Sequence, residues 1–214
     1  TNKVYGDNPN KIKLKEGSLR FMPKDPKKYK NGFNENLSTD HCTHSFFGVS
    51  KTYADYLAQE FGRNYNIKVA IFRAGCITGP NHSSAKLHGF LSYLVKSCVV
   101  NKRYNIIGYK GKQVRDNIHS SDLLNCLWEF IKKPKKGEVY NIGGGTFSNC
   151  SILECIKYIE KNKNIKIKIN YTPKERLGDH IWYISDTRKF QNDYPNWEQK
   201  YNTIKILDEL LNNY

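Results

Sequence analysis

The chain has 214 residues, 38% of them apolar and 13% aromatic, which is enough to bury a sizeable core and excludes a disordered segment. The formal charge of +15 suggests a nucleic-acid or membrane partner, but 28 of the 35 basic residues are Lys, spread along the chain with one cluster from Lys11 to Lys30. Composition bias explains that excess without either partner. No apolar run approaches the roughly 18 residues of a bilayer span, and the six cysteines form no C-x-x-C pair. Reduced thiols in a cytoplasmic protein are therefore expected, with no metal site.

Residues 7–44 are rich in Lys, Asn, Pro and Gly and hold no sustained period, which predicts a long functional or mobile loop. From Ser45 onward Phe46, Val49, Tyr53, Leu57 and Phe61 recur at helical steps and predict a helix. Ile67–Arg73 reads as a short buried strand, and Gly79-Pro80 breaks the chain. A helix is predicted over His88–Val99, a strand over Tyr104–Ile107, and a strongly apolar helix capped by Ser121 and running to Ile131. The strand Val139–Ile142 ends in Gly143-Gly144-Gly145, and the pair Ser151 and Glu154 forms a capping box for the next helix. A strand over Ile165–Tyr171, a loop to Asp186 and a helix over Thr203–Leu211 close the order. Alternating strands and helices predict an α/β fold with a mostly parallel sheet.

The triple glycine follows a strand and precedes a helix, as a dinucleotide fingerprint would. It lacks the G-x-G-x-x-G spacing and a following acidic residue at ribose distance, so tight chain reversal is the better reading. His119 immediately precedes the expected helix cap and reads as structural.

Four motifs stand in one order: Thr1-Asn-Lys-Val-Tyr-Gly6, Phe47-Gly-Val-Ser-Lys51, Lys112-Gln-Val-Arg-Asp116 and Arg176-Leu-Gly-Asp179. Phe72-Arg73, Gly79-Pro80 and Tyr140-Asn-Ile-Gly-Gly144 lie between them. Together they resemble the extended short-chain dehydrogenase/reductases of the NAD-dependent epimerase/dehydratase family, which act on nucleotide sugars. The resemblance covers nearly the whole chain and corresponds to roughly the last two-thirds of such an enzyme. It implies the C-terminal part of a Rossmann-type parallel sheet with a small α/β substrate lobe. Residues 1–80 with 114–145 would complete the NAD-binding domain, and residues 81–113 with 146–214 would form the nucleotide-sugar lobe. The family's N-terminal β-α-β unit, with its Gly-rich pyrophosphate loop, is absent from this sequence. A truncation or a separate N-terminal NAD-binding segment is therefore expected.

The resemblance implies NAD as cofactor and C2 epimerisation of a CDP-hexose through a transient keto sugar. Alternatives are 4-epimerisation, 4,6-dehydration, decarboxylation, or a non-catalytic nucleotide-sugar-binding role. In the family a Tyr-x-x-x-Lys pair occupies one helical face; the Lys lowers the phenol pKa and holds the nicotinamide ribose, while the phenolate exchanges the sugar proton. Here the pair is Phe47 and Lys51, and Phe47 has no hydroxyl. Thr1 matches the Ser/Thr that bonds the reacting sugar oxygen. Lys51 and Cys76 are the implied cofactor contacts. His88, Arg115, Arg176 and Asp179 are the implied substrate contacts, with the two guanidinium groups suited to bidentate grip on a diphosphate. A homodimer through the helix of Lys51 is also implied.

Overall fold

The computed structural model describes residues 1–82 and 89–213, so the expectation for His88 lies outside the described residues. In chain order, strands β1 (Leu14–Glu16) and β2 (Phe21–Pro23) precede helix α1 (Phe46–Asn64) and strands β3 (Ala70–Ala74) and β4 (Cys76–Thr78). Helix α2 (Phe90–Val99) leads to β5 (Tyr104–Ile107), β6 (Val114–His119), α3 (Ser120–Lys132) and β7 (Glu138–Ile142). Strand β8 (Asn149–Ser151), α4 (Ile152–Lys163), β9 (Ile169–Thr172), β10 (Trp182–Tyr183), α5 (Arg188–Asp193) and α6 (Thr203–Asn212) follow.

Strand β6 is the hub. It pairs in parallel with β10 at Val114 and Arg115, in parallel with β4 from Asn117 to His119, and antiparallel with β8. Strands β3 and β7 form a second parallel pair, and β5 and β9 a third. The fold is mixed α/β with parallel sheets, as expected. One apolar core lies under α2, α4 and α6 around Leu94, Ile106, Ile159 and Leu207. A second joins β7 and α3 to the α5 region through Ile118, Tyr140, Phe190 and Trp197. A third packs the Asn2–Tyr5 turn against Phe33, Val114 and Trp182. No helix among the described residues is long and apolar enough to cross a membrane.

Several sequence expectations are corrected. Residues 7–44 contain the β1–β2 antiparallel hairpin and a 3-10 turn over Asn8–Lys11, anchored where Asn8 Nδ2 donates to Ser38 and Asp40 carbonyls. Three-residue strands are too short to show a period. The 67–73 strand is displaced to β3 and continues past Gly75 as β4. The 165–171 strand begins only at Ile169, and the supposed loop to Asp186 contains β10. Helix α3 is capped by His119 and not by Ser121: Nδ1 of His119 accepts from Ser121 N at 3.2 Å, and its Nε2 lies 2.7 Å from Glu209. The capping box at Ser151 and Glu154 is present.

Helix α1 has the expected period, and its polar face is the covered one. Its buried residues are Gly48, Asp55, Gln59 and Gly62, whereas Phe46, Tyr53 and Phe61 are exposed. A buried ion pair lies on the covered face. Arg73 on β3 donates from Nε and Nη2 to both Asp55 oxygens, at 2.8 and 2.9 Å. Its Nη1 donates to Tyr5 OH at 3.1 Å, Tyr5 OH donates to Asn141 Oδ1 at 2.7 Å, and Asn141 Nδ2 donates to Phe33 O at 2.8 Å. Gln59 supplies a further donor to Asp55 at 2.6 Å. With the charges paired inside, the apolar stripe faces out.

Removing one member strands the other charge out of water. Arg73→Met is expected to lower the unfolding free energy by about 3–5 kcal/mol in urea titration, while Arg73→Met combined with Asp55→Leu recovers most of that loss. A single variant within about 1 kcal/mol of the parent would contradict the clamp.

Candidate functional site

A cavity of about 310 Å³ opens between the Asn2–Tyr5 turn, β4, β5, β6, the start of α2 and the loop after β9. Among its lining residues, Lys3, Arg115 and Arg176 face a single carboxylate, Asp179. Strand alternation delivers Arg115: Val114 and Asp116 on either side are buried, and the half-buried Arg115 turns to the cavity with Nη1 donating to Val114 O at 2.9 Å. Arg176 and Asp179 meet across a tight turn closed by the Asp179 N to Arg176 O bond at 3.1 Å, with Gly178 at φ +77. Arg176 Nε donates to Asp179 Oδ2 at 2.9 Å and Nη2 to Oδ1 at 3.3 Å. Asp179 therefore orients this guanidinium.

The electrostatics of the cavity are dominated by cations. Burial alone would raise the Asp179 carboxyl, but Arg115, Lys3 and Arg176 outweigh it and hold the group below the usual carboxylate range. Burial pushes the Cys76 thiol up to about 11 despite Arg115, so Cys76 lines the wall as an uncharged thiol at neutral pH. Behind the cavity His180 donates to Gly6 O at 2.8 Å; burial, then Lys3 and Arg115, keep its imidazole well below its ordinary pKa and neutral.

The structure brings Cys76, Arg115, Arg176 and Asp179 together and leaves Thr1, Phe47 and Lys51 off the cavity lining. Those three lie on adjacent elements. Thr1 Oγ1 accepts from Lys3 N at 3.3 Å and caps the Asn2–Tyr5 turn. The first turn of α1 packs on that turn so closely that a Cβ at Gly48 would stand 3.0 Å from Lys3 O. Phe47 is 52% exposed, and Lys51 Nζ sits 5.5 Å from its ring centroid, so the two share one helical face as their spacing requires. Lys3, His82 and Gln113 line the cavity without having been singled out. Lys3 and Gln113 stand inside the motifs; His82 carries no motif signal.

The triple glycine has a different task from cofactor binding. A Cβ at Gly143 would collide with Asp116 Oδ2, one at Gly144 with the Ser148 and Asn117 backbone, and Gly145 N donates to Asp116 Oδ2 at 3.2 Å. The turn is closed around a buried carboxylate, which burial pushes up in pKa. It does not fit a pyrophosphate. The ammonium of Lys51 is exposed on α1 and could donate to a ribose hydroxyl.

Residues 17–143 match the model of the NAD dependent epimerase/dehydratase family. The chain is 30% identical over 199 residues to CDP-paratose 2-epimerase of Salmonella typhi, covering 90% of this chain and 56% of that protein. It is 26% identical over 197 residues to dTDP-glucose 4,6-dehydratase 1 of Escherichia coli K12, covering 88% and 49%. Its fold matches the NAD complex of dTDP-glucose 4,6-dehydratase from Bacillus anthracis with a TM-score of 0.72 at 24% identity, over 100% of this chain and 59% of the other. It also matches a tyrosine-to-phenylalanine mutant of UDP-glucuronic acid 4-epimerase from Bacillus cereus, bound to NAD and UDP-4-deoxy-4-fluoro-glucuronic acid, with a TM-score of 0.70 at 24% identity over 100% and 60%. The chain spans about half the length of the curated relatives it matches. The family match over residues 17–143, together with the motif order and the parallel α/β fold, makes this chain a member of the NAD dependent epimerase/dehydratase family.

Proposed function

We propose that the cavity holds the diphosphate of a nucleotide sugar. Together with the part of its relatives that this chain does not span, it would epimerise C2 of a CDP-hexose through a transient keto sugar. The observation that carries this reading is the convergence of Arg115 and Arg176 on one cavity beside the carboxylate of Asp179. Two forked guanidinium groups match the oxygens of two linked phosphates, and Asp179 fixes one fork before ligand arrives. The choice of CDP and of C2 rests on the 30% identity to CDP-paratose 2-epimerase.

NAD, when bound, supplies the hydride acceptor and donor. Of this chain's residues, Thr1 holds the reacting sugar oxygen, Lys51 the nicotinamide ribose, and Cys76 borders the cofactor as an uncharged wall. Residues 1–80 with 114–145 form the cofactor-facing part and residues 81–113 with 146–214 the substrate lobe. The pyrophosphate would fall to the part of its relatives that this chain does not span, in the same or a separate polypeptide, with the exposed Leu124, Trp128 and Ile131 of α3 available to meet it. The outward apolar face of α1, with Phe46 95% exposed and Tyr53 69% exposed, supports a homodimer through that helix. Six free cysteines suit the cytoplasm.

Phe47 favours a second reading, a nucleotide-sugar-binding protein with impaired catalysis. The ring that Lys51 overlies is that of Phe47, which carries no hydroxyl. In a protein that also carries the cofactor-binding half, Phe47→Tyr is expected to raise turnover by about 10²–10⁴-fold, the contribution of a positioned acid/base. A fast parent and an indifferent variant would instead show that another group moves the proton.

Calorimetric titration of this chain with a nucleotide sugar tests the site itself. Arg115→Ala and Arg176→Ala should each weaken binding by about 1.5–3 kcal/mol, the range of a charged hydrogen bond. Lys at either position should recover only part of the loss. Unchanged affinity for CDP, UDP and GDP sugars in both Ala variants would place the diphosphate elsewhere.

A further inference from the structure

The sequence motifs assign Arg115, Arg176 and Asp179 to substrate and leave Lys3, the third cation of the cavity, without a role. Lys3 leaves the Asn2–Tyr5 turn and crosses to the opposite wall, where Nζ donates to Gly178 O at 2.7 Å and stands 3.6 Å from Asp179. Asp179 is already engaged by both donors of the Arg176 fork. An ammonium has three donors, and the Gly178 carbonyl takes one. The remainder sit on a side chain only 28% exposed, inside a cavity of about 310 Å³.

Among the described residues, the groups that face Lys3 are Arg115 from β6, Cys76 from β4, Arg176 and Asp179 from the loop, and His180 behind it. Cys76 and His180 are uncharged at neutral pH, because burial pushes the thiol up to about 11 and the imidazole well down. Among the described residues of the lining, the three cations Lys3, Arg115 and Arg176 against the one carboxylate of Asp179 leave an excess of two positive charges. A diphosphate diester carries two negative charges across the whole neutral range. Matching that charge takes Lys3 as well as both arginines.

We propose that the Lys3 ammonium is a direct third ligand of the diphosphate and makes nucleotide-sugar affinity depend on pH. This rests on the reading of the cavity as a diphosphate site. Arginines stay protonated at any physiological pH, so they cannot confer such dependence. Lys3 can. Burial beside Arg115, only partly opposed by Asp179, lowers it to about 8. Only the protonated form attracts the dianion, and the bound dianion in turn raises the Lys3 pKa. Affinity is therefore full below about 8 and falls as pH rises through that value.

The test is calorimetric titration of the chain with CDP-glucose, whose charge is constant over the range, at pH 7, 8 and 9 and fixed ionic strength. The parent is expected to lose about five- to tenfold in affinity from pH 7 to pH 9. Lys3→Gln should bind about tenfold more weakly at pH 7 and show no pH slope. Lys3→Arg, which keeps the charge without the titration, should bind as tightly at pH 9 as at pH 7. It thereby separates loss of the charge from loss of the fold. A flat parent profile, or a slope that survives in Lys3→Arg, overturns the role of Lys3. If Arg115→Ala is weakened at all three pH values in that case, the diphosphate site stands without Lys3. A parent that does not bind, or an Arg115→Ala variant that binds as the parent does, overturns the site reading and the proposal together.

Discussion

The buried pair of Arg73 and Asp55 is the constraint from which the site follows. A guanidinium and a carboxylate that are only 5% and 6% exposed persist together when each uses its hydrogen-bonding directions, and here Tyr5, Gln59 and Asn141 complete the set. Asp55 lies on the helix that bears Phe47 and Lys51. Arg73 lies on the strand that runs past Gly75 into Cys76, and Tyr5 ends the turn that bears Thr1 and Lys3. One network thus fixes the register of three segments that sequence motifs identify separately. Compared with an apolar replacement, such a pair adds little net stability. Its effect is to hold α1 with its polar side inward and its aromatic side free.

Beyond that network, the cavity is organised by unequal cations. Arg176 is locked by Asp179, Arg115 is carried by the central strand, and Lys3 is suspended from the Gly178 carbonyl. The carboxylate that could neutralise them is shared among all three and held low in pKa by Arg115 first. The cavity therefore keeps a surplus of positive charge at neutral pH, and the +15 chain around it adds a long-range attraction for anionic ligands. A second hollow of about 290 Å³ beside α4 and α6 contains Glu154 and no basic residue in its lining, so it offers nothing of the kind.

Much of this was legible in the sequence because motifs mark residues whose chemistry cannot be exchanged. Arg115, Arg176 and Asp179 stand in recognisable motifs, and the structure brings them to one cavity. Lys3 stands in a motif that does not mark it, because its reach to Gly178 spans 175 residues of chain and no local spacing encodes it. His82 had no local signal either. The period of α1 foretold a helix but not which face would be covered, since periodicity reports amphipathicity and is silent about what an ion pair does to orientation. Strands β1, β2 and β10, of two or three residues, fell below the length at which alternation can be seen. The triple glycine was read as a chain reversal, and the reason proved to be tertiary: Asp116 and Asn117 leave no room for a Cβ at Gly143 or Gly144.

The central claim is that the diphosphate of a nucleotide sugar lies against β5, β6 and the Arg176 loop, and not on the glycine turn. Hydrogen–deuterium exchange of the chain with and without saturating CDP-glucose, resolved by peptide mass spectrometry, addresses it most directly. Protection is expected over residues 104–116 and 173–181, with residues 143–148 unchanged. Protection of residues 143–148, with the cavity segments indifferent to ligand, would contradict it.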